Sequence, residues 1–123
     1  MRTLLLISLL AAPLLAQAKH AEQWYTDQWC KAHGGDTSVV LSDHTRPDCV
    51  TDTHAVEVDF GPKWAEAIGQ SLHYGFKTNL KPGVLLIVDP SDHLRYFYRL
   101  NSVVMHYSED PEQPVIDVWT VDK

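Results

Sequence analysis

The sequence predicts an α/β domain with a mixed central sheet and helices on both faces. Three observations predict it. Residues 20–33 carry Ala21, Trp24, Tyr25, Gln28 and Trp29 at helical spacing. Residues 54–60 alternate, with Ala55, Glu57 and Asp59 on one side of a strand and Val56, Val58 and Phe60 on the other. Beyond residue 60, helical and strand patterns follow one another in turn, as they do where helices connect strands of one sheet.

Each element has a local reason. Gly34-Gly35 stop the first helix. Residues 37–41 are a short β-rich run, and Ser42-Asp43-His44-Thr45 is a polar turn. Residues 48–51 predict a second strand and residues 54–60 a third. Gly61-Pro62 breaks that strand and opens a helix with proline near its first position. This helix is expected over 63–76, with an apolar side of Trp64, Ala67, Ile68, Ser71, Leu72 and Gly75. Lys81-Pro82-Gly83 is a turn, and residues 84–88 are continuously apolar, as in a strand covered on both faces. Asp89-Pro90-Ser91-Asp92 is a turn and cap, residues 93–106 an aromatic-rich helix, and residues 114–121 a last strand at an edge. The expected order is α-β-β-β-α-β-α-β, in one domain without internal repeats.

The N-terminus reads as a secretory signal peptide. Arg2 precedes an apolar run over 4–15, and Ala16-Gln17-Ala18 is a small-x-small cleavage site. The run is shorter than the roughly 20 apolar residues a membrane span needs. The expected division is therefore 1–18 as leader and 19–123 as one small domain, periplasmic or secreted and free of the membrane after cleavage. The chain carries a net charge of −6, one unit more negative without Arg2. That balance excludes a generally basic nucleic-acid binder, because phosphate affinity comes mostly from Lys and Arg. Cys30 and Cys49 are the two cysteines. In an oxidising compartment they are expected to pair, closing a loop of about 20 residues and stabilising the fold by about 3 kcal/mol.

The chemistry gathers around residue 57. Glu57 and Asp59, two apart on a strand, point the same way. Asp48 lies on the preceding predicted strand and can sit alongside them. Carboxylates brought together repel unless a cation or a shared proton relieves them. Magnesium needs few protein carboxylates and suits such a group. The bland alternative is a solvated acidic strand edge. On the next helix Lys63, Glu66, Gln70 and Tyr74 share one side, starting right after the acidic strand.

Taken together these residues resemble the PD-(D/E)XK nuclease superfamily, whose restriction-endonuclease-like core is α-β-β-β-α-β; here a C-terminal helix and strand would follow it. Pro47-Asp48 matches the leading proline and metal-binding aspartate, and Glu57 the second metal ligand. Gln70-Ser71-Leu72-His73-Tyr74 matches the Q-x-x-x-Y element of the RecB-type branch. Glu22, on the first helix, falls where some members place a further acid. Asp59 departs from the pattern, which has lysine there. Some members move that lysine to the following helix, where Lys63 is the candidate. The resemblance implies phosphodiester hydrolysis of nucleic acid, assisted by magnesium or manganese held by Asp48, Glu57 and Asp59. Lys63 would position the attacking water or stabilise developing charge, Gln70 would orient substrate or solvent, and Tyr74 and Glu22 would support them.

A second reading is a catalytically silent relative acting as a binding module or partner subunit, favoured by Asp59, by the acidic charge and by the export signal. A third is an unrelated small α/β protein with solvated acids. The seven histidines form no H-x-x-x-H pair, so zinc is not expected. His54 and His73 lie near the acidic residues in sequence, and Trp24, Trp29 and Trp64 hold core-like helix positions.

Overall fold

A computed structural model describes residues 20–92 and 94–123. The leader expected over 1–18 lies outside the described residues, as does His93, the expected first residue of the last helix. The described chain is an α/β domain of three α-helices and four strands: α1 (Glu22–Ala32), β1 (Cys49–Val50), β2 (His54–Phe60), α2 (Trp64–Thr78), β3 (Lys81–Val88), α3 (Arg95–His106) and β4 (Asp117–Asp122). The sheet is mixed, in the order β1-β2-β3-β4. The pair β1/β2 is antiparallel, whereas β2/β3 and β3/β4 are parallel.

The expected strand over 37–41 is absent. A single antiparallel bridge between Asp36 and Val50 stands near its place. The cause is local. The Asp36 carboxylate accepts hydrogen bonds from the Ser38 N–H at 2.7 Å and the Ser38 hydroxyl at 2.6 Å. Such a side-chain turn competes with a strand ladder for the backbone. The described order is therefore α-β-β-α-β-α-β, one strand short of the expectation.

Alternation along β3 explains its unbroken apolar run. Leu85 and Ile87 face α1, packing with Tyr25, Cys30, Cys49, Val56 and Val58. Val84, Leu86 and Val88 face the other way, onto Ala67 of α2 and Leu100 and Val104 of α3. Helices thus cover both faces of the sheet. Fully buried aliphatics such as Leu85 and Leu86 anchor it; truncating one to alanine costs about 2–5 kcal/mol.

Cys30 and Cys49 form a disulfide that ties α1 to the two-residue β1. Gly35 is required beside it, since a Cβ there would lie 2.4 Å from Cys49 Sγ and 2.6 Å from Cys30 Sγ. The disulfide is compatible with a periplasmic or extracellular location. Among the described residues no helix is long and apolar enough to cross a membrane.

The break at Gly61-Pro62 folds as a 3-10 turn, Gly61–Lys63, which leads directly into α2. The face of α2 against the sheet is Ala67, Ser71, Tyr74 and Gly75. This rotates the helix from the expected apolar side. Trp64 and Ile68 are partly buried against the second core cluster, and Leu72 is 43% exposed. Trp24, placed at a core-like position by its spacing, is exposed and stacks on His20.

Candidate functional site

The parallel register sets Glu57 beside Val84 and Asp59 beside Leu86. Both acids therefore point from β2 toward α2, and both are buried, at 6% and 5% exposure. A wet acidic edge is ruled out: β2 is an interior strand and α2 lies over this face. The antiparallel pairing of Cys49 with Val56 brings Asp48 alongside Glu57. The Asp48 N–H donates to the Val56 carbonyl at 3.1 Å, and the Val58 N–H donates to Asp48 Oδ2 at 2.7 Å. Asp48 is thus fastened to β2 through both its backbone and its side chain.

Three carboxyl groups so placed cannot all ionise freely. Burial first, then the neighbouring Asp48, pushes Glu57 far above the usual carboxylate range, and the two side chains share a hydrogen bond. Burial also raises Asp48, while the Val58 N–H opposes the rise. Asp59 is pushed up to about 6, chiefly by burial; the Lys63 charge holds it down, and Asp48 and Glu66 push it up. Glu22 reaches in from α1 and is pushed up to about 7 by burial, then by Asp59 and Asp48, against the pull of Lys63. Tyr74 is buried on α2, and burial followed by the charges of Glu57, Asp48, Asp43 and Asp59 raises its hydroxyl to about 12.

Six of the seven site residues picked out in the sequence therefore share one electrostatic neighbourhood: Glu22, Asp48, Glu57, Asp59, Lys63 and Tyr74. They come from α1, the approach to β1, β2, the 3-10 turn and α2. The seventh, Gln70, is exposed on the rim of α2, one turn before Tyr74.

One connection was not legible. His73 Nε2 and Asp43 Oδ2 lie 2.8 Å apart, tying α2 to the turn that leads into Asp48. Asp43 also accepts from the Thr45 hydroxyl at 2.6 Å and the Thr45 N–H at 3.1 Å. Thr45 first, and His73 after it, hold the Asp43 carboxyl well below its usual range. The Asp-x-Thr turn is visible in sequence, but its partner 30 residues away is not. His54, by contrast, is on the other face of β2 from Glu57. It pairs with Asp117 at 2.7 Å and lines a cavity with Trp29 and Trp119.

The donor chemistry fits a hard divalent cation: carboxylate oxygens only, with neutral hydroxyl support from Tyr74. Asp59 Oδ2 is buried without a hydrogen-bond partner, the single such side-chain atom among the described residues. An orphaned carboxylate oxygen is costly unless a proton or a cation meets it. As they stand, no three or more His, Cys, Asp or Glu side chains among the described residues close into a ready coordination shell. No model of a known protein family matches the chain, and neither a curated protein nor a solved structure does.

Proposed function

We propose that the mature domain, exported by its leader, hydrolyses phosphodiester bonds of nucleic acid with the help of magnesium or manganese. The observation that carries the reading is the buried row Asp48–Glu57–Asp59, which ends in an oxygen without a donor and lies under the influence of the Lys63 ammonium. The restriction-endonuclease-like arrangement belongs to the same proposal, supported by the order of the elements from α1 to β3 and weakened by the missing strand at 37–41.

Asp48, Glu57 and Asp59 would hold the cation. Once bound, it would supply Lewis acidity toward the phosphate and relieve the crowding of the three acids. The chain's own residues do the rest. Lys63, exposed at the lip, presents a positive charge to a phosphate oxygen or a water. Glu22, pushed to about 7, is able to exchange a proton near neutrality. Tyr74 keeps its proton at any physiological pH and offers a hydrogen bond to the neighbouring carboxylates. Gln70, on the rim, orients substrate or solvent.

The second reading is a silent nuclease-like binding or partner module. It is favoured by Asp59 standing where the resembled pattern has lysine. Incubating the chain from Lys19 with plasmid DNA, single-stranded DNA and RNA, in magnesium, manganese or EDTA, separates the two. Cleavage that needs the cation and disappears in Glu57→Ala is expected. A folded chain that cleaves none of the three supports the silent module instead.

A further inference from the structure

Resting on the phosphodiester reading, we propose that the first half of α3, together with Lys63 and the end of the sheet, is the surface that grips the phosphate backbone of a polynucleotide strand. A chain of net charge −6 repels nucleic acid as a whole. Binding therefore needs positive charge gathered on one surface; Lys63 is the cation that acts on the carboxylates, and Arg95, Arg99 and Lys123 lie beyond it around Gly61 at the end of β2. Arg95 and Arg99, four residues apart on α3, are both exposed and lie side by side on the helix. Their guanidinium carbons sit 4.7 and 5.7 Å from the centre of the Tyr96 ring. That ring is pressed against Gly61, where a Cβ would come within 2.7 Å of Tyr96 Cδ2. Gly61 is two residues from Asp59 on one side and two from Lys63 on the other.

Lys123 completes the group, its Nζ 5.3 Å from the centre of the Phe60 ring. Phe60, Gly61, Tyr96 and Lys123 line one small cavity at the carboxyl end of β2. Two acids also line it and offset part of this charge: Asp92 pairs with Arg95 at 3.1 Å, and Asp89 accepts from the Ser91 hydroxyl at 2.8 Å, so the surface's excess positive charge rests chiefly on Arg99 and Lys63. Guanidinium groups laid on an aromatic ring are held in place and remain able to fork onto phosphate oxygens. Two other lysines lie elsewhere. Lys31 ends α1 and Lys77 ends α2, both toward the opposite end of the sheet.

The test is fluorescence anisotropy of a labelled single-stranded oligonucleotide titrated with the chain from Lys19, in calcium, over a range of salt. Three proteins are compared: the parent, Arg95→Glu/Arg99→Glu, and Lys31→Glu/Lys77→Glu, which makes the same charge change at the far end. All four positions are exposed, and circular dichroism checks folding. The arginine pair is expected to weaken binding at least about tenfold and to lower the salt dependence by about two phosphate contacts; the lysine pair is expected to do much less. Equal weakening by both pairs, or by neither, overturns this surface even where Glu57-dependent cleavage persists in magnesium. A parent that neither binds nor cleaves overturns the phosphodiester reading, and this surface with it.

Discussion

The Val58 N–H donates to Asp48 Oδ2 across 2.7 Å, so the backbone of the acidic strand holds the carboxylate of the preceding one. That bond commits one oxygen of Asp48 to positioning. It also places the group against Glu57, with which it shares a hydrogen bond. The structural and the chemical role of Asp48 can therefore be separated by substitution. Asp48→Asn retains an acceptor for Val58 and removes a charge from a crowded row. It is expected to fold at least as stably as the parent at pH 8 in EDTA, yet to lose stabilisation by divalent cations. Asp48→Ala leaves the Val58 N–H unpaired and is expected to lose about 1–3 kcal/mol as well. Urea denaturation of both variants with and without magnesium reads the difference; an Asn variant as unstable as the Ala variant would contradict the separation.

The raised carboxyls set the pH dependence of stability. Glu22 goes from 4.5 to about 7 and Asp59 from 3.8 to about 6. Between those limits the unfolded chain sheds protons that the folded chain retains, so stability falls as pH rises from about 4 to about 7. In EDTA the melting temperature is expected to be several degrees higher at pH 5 than at pH 8. Magnesium should recover much of the loss at pH 8, because it binds the ionised, folded form. A melting temperature that climbs from pH 5 to pH 8 in EDTA would contradict the crowding of these acids.

Lys63 is the cation that the acids feel, through Asp59 and Glu22. Removing it with Lys63→Ala is expected to lower cleavage by about a hundredfold, the scale of a lost charge-stabilising donor. Stability should change little, because the side chain is exposed. Lys63→Arg should retain part of the activity. Rates for the three proteins at saturating magnesium check this, and an unchanged rate in Lys63→Ala would remove Lys63 from the site.

Reduction of the Cys30–Cys49 bond acts on the same site from behind. Cys49 adjoins Asp48, and β1 is only two residues long. Opening the bridge is expected to reduce stability by about 3 kcal/mol. It is also expected to weaken cation binding, since Asp48 is then held by fewer constraints. Denaturation and cation titration with and without dithiothreitol, with alkylation to confirm the thiol state, read both effects.

Much of this arrangement was legible in the sequence because it follows from short-range rules. The two-residue period of 54–60 put Glu57 and Asp59 on one face, and Gly61-Pro62 marked where the chain turns into α2. The burial of those acids was not legible. An alternating strand reads as half wet, and only the passage of α2 across that face encloses it. The same passage explains the rotated helix. Ala67, Ser71 and Gly75 are small and let α2 approach closely, so Leu72 and Phe76 turn outward at 43% and 82% exposure. The strand expected over 37–41 fell to a side-chain turn from Asp36 to Ser38 that propensity alone does not weigh. The tie between His73 and Asp43 joins positions too far apart in sequence for any local pattern to reveal.

The central claim is that the row Asp48–Glu57–Asp59 binds a divalent cation. Isothermal titration calorimetry of the chain from Lys19 with manganese and with magnesium at pH 8, beside Glu57→Gln and Asp59→Asn, tests it most directly. Saturable binding by the parent that is lost or weakened at least about tenfold in both variants is the predicted result. A parent that binds neither cation, or variants that bind as the parent does, would contradict it.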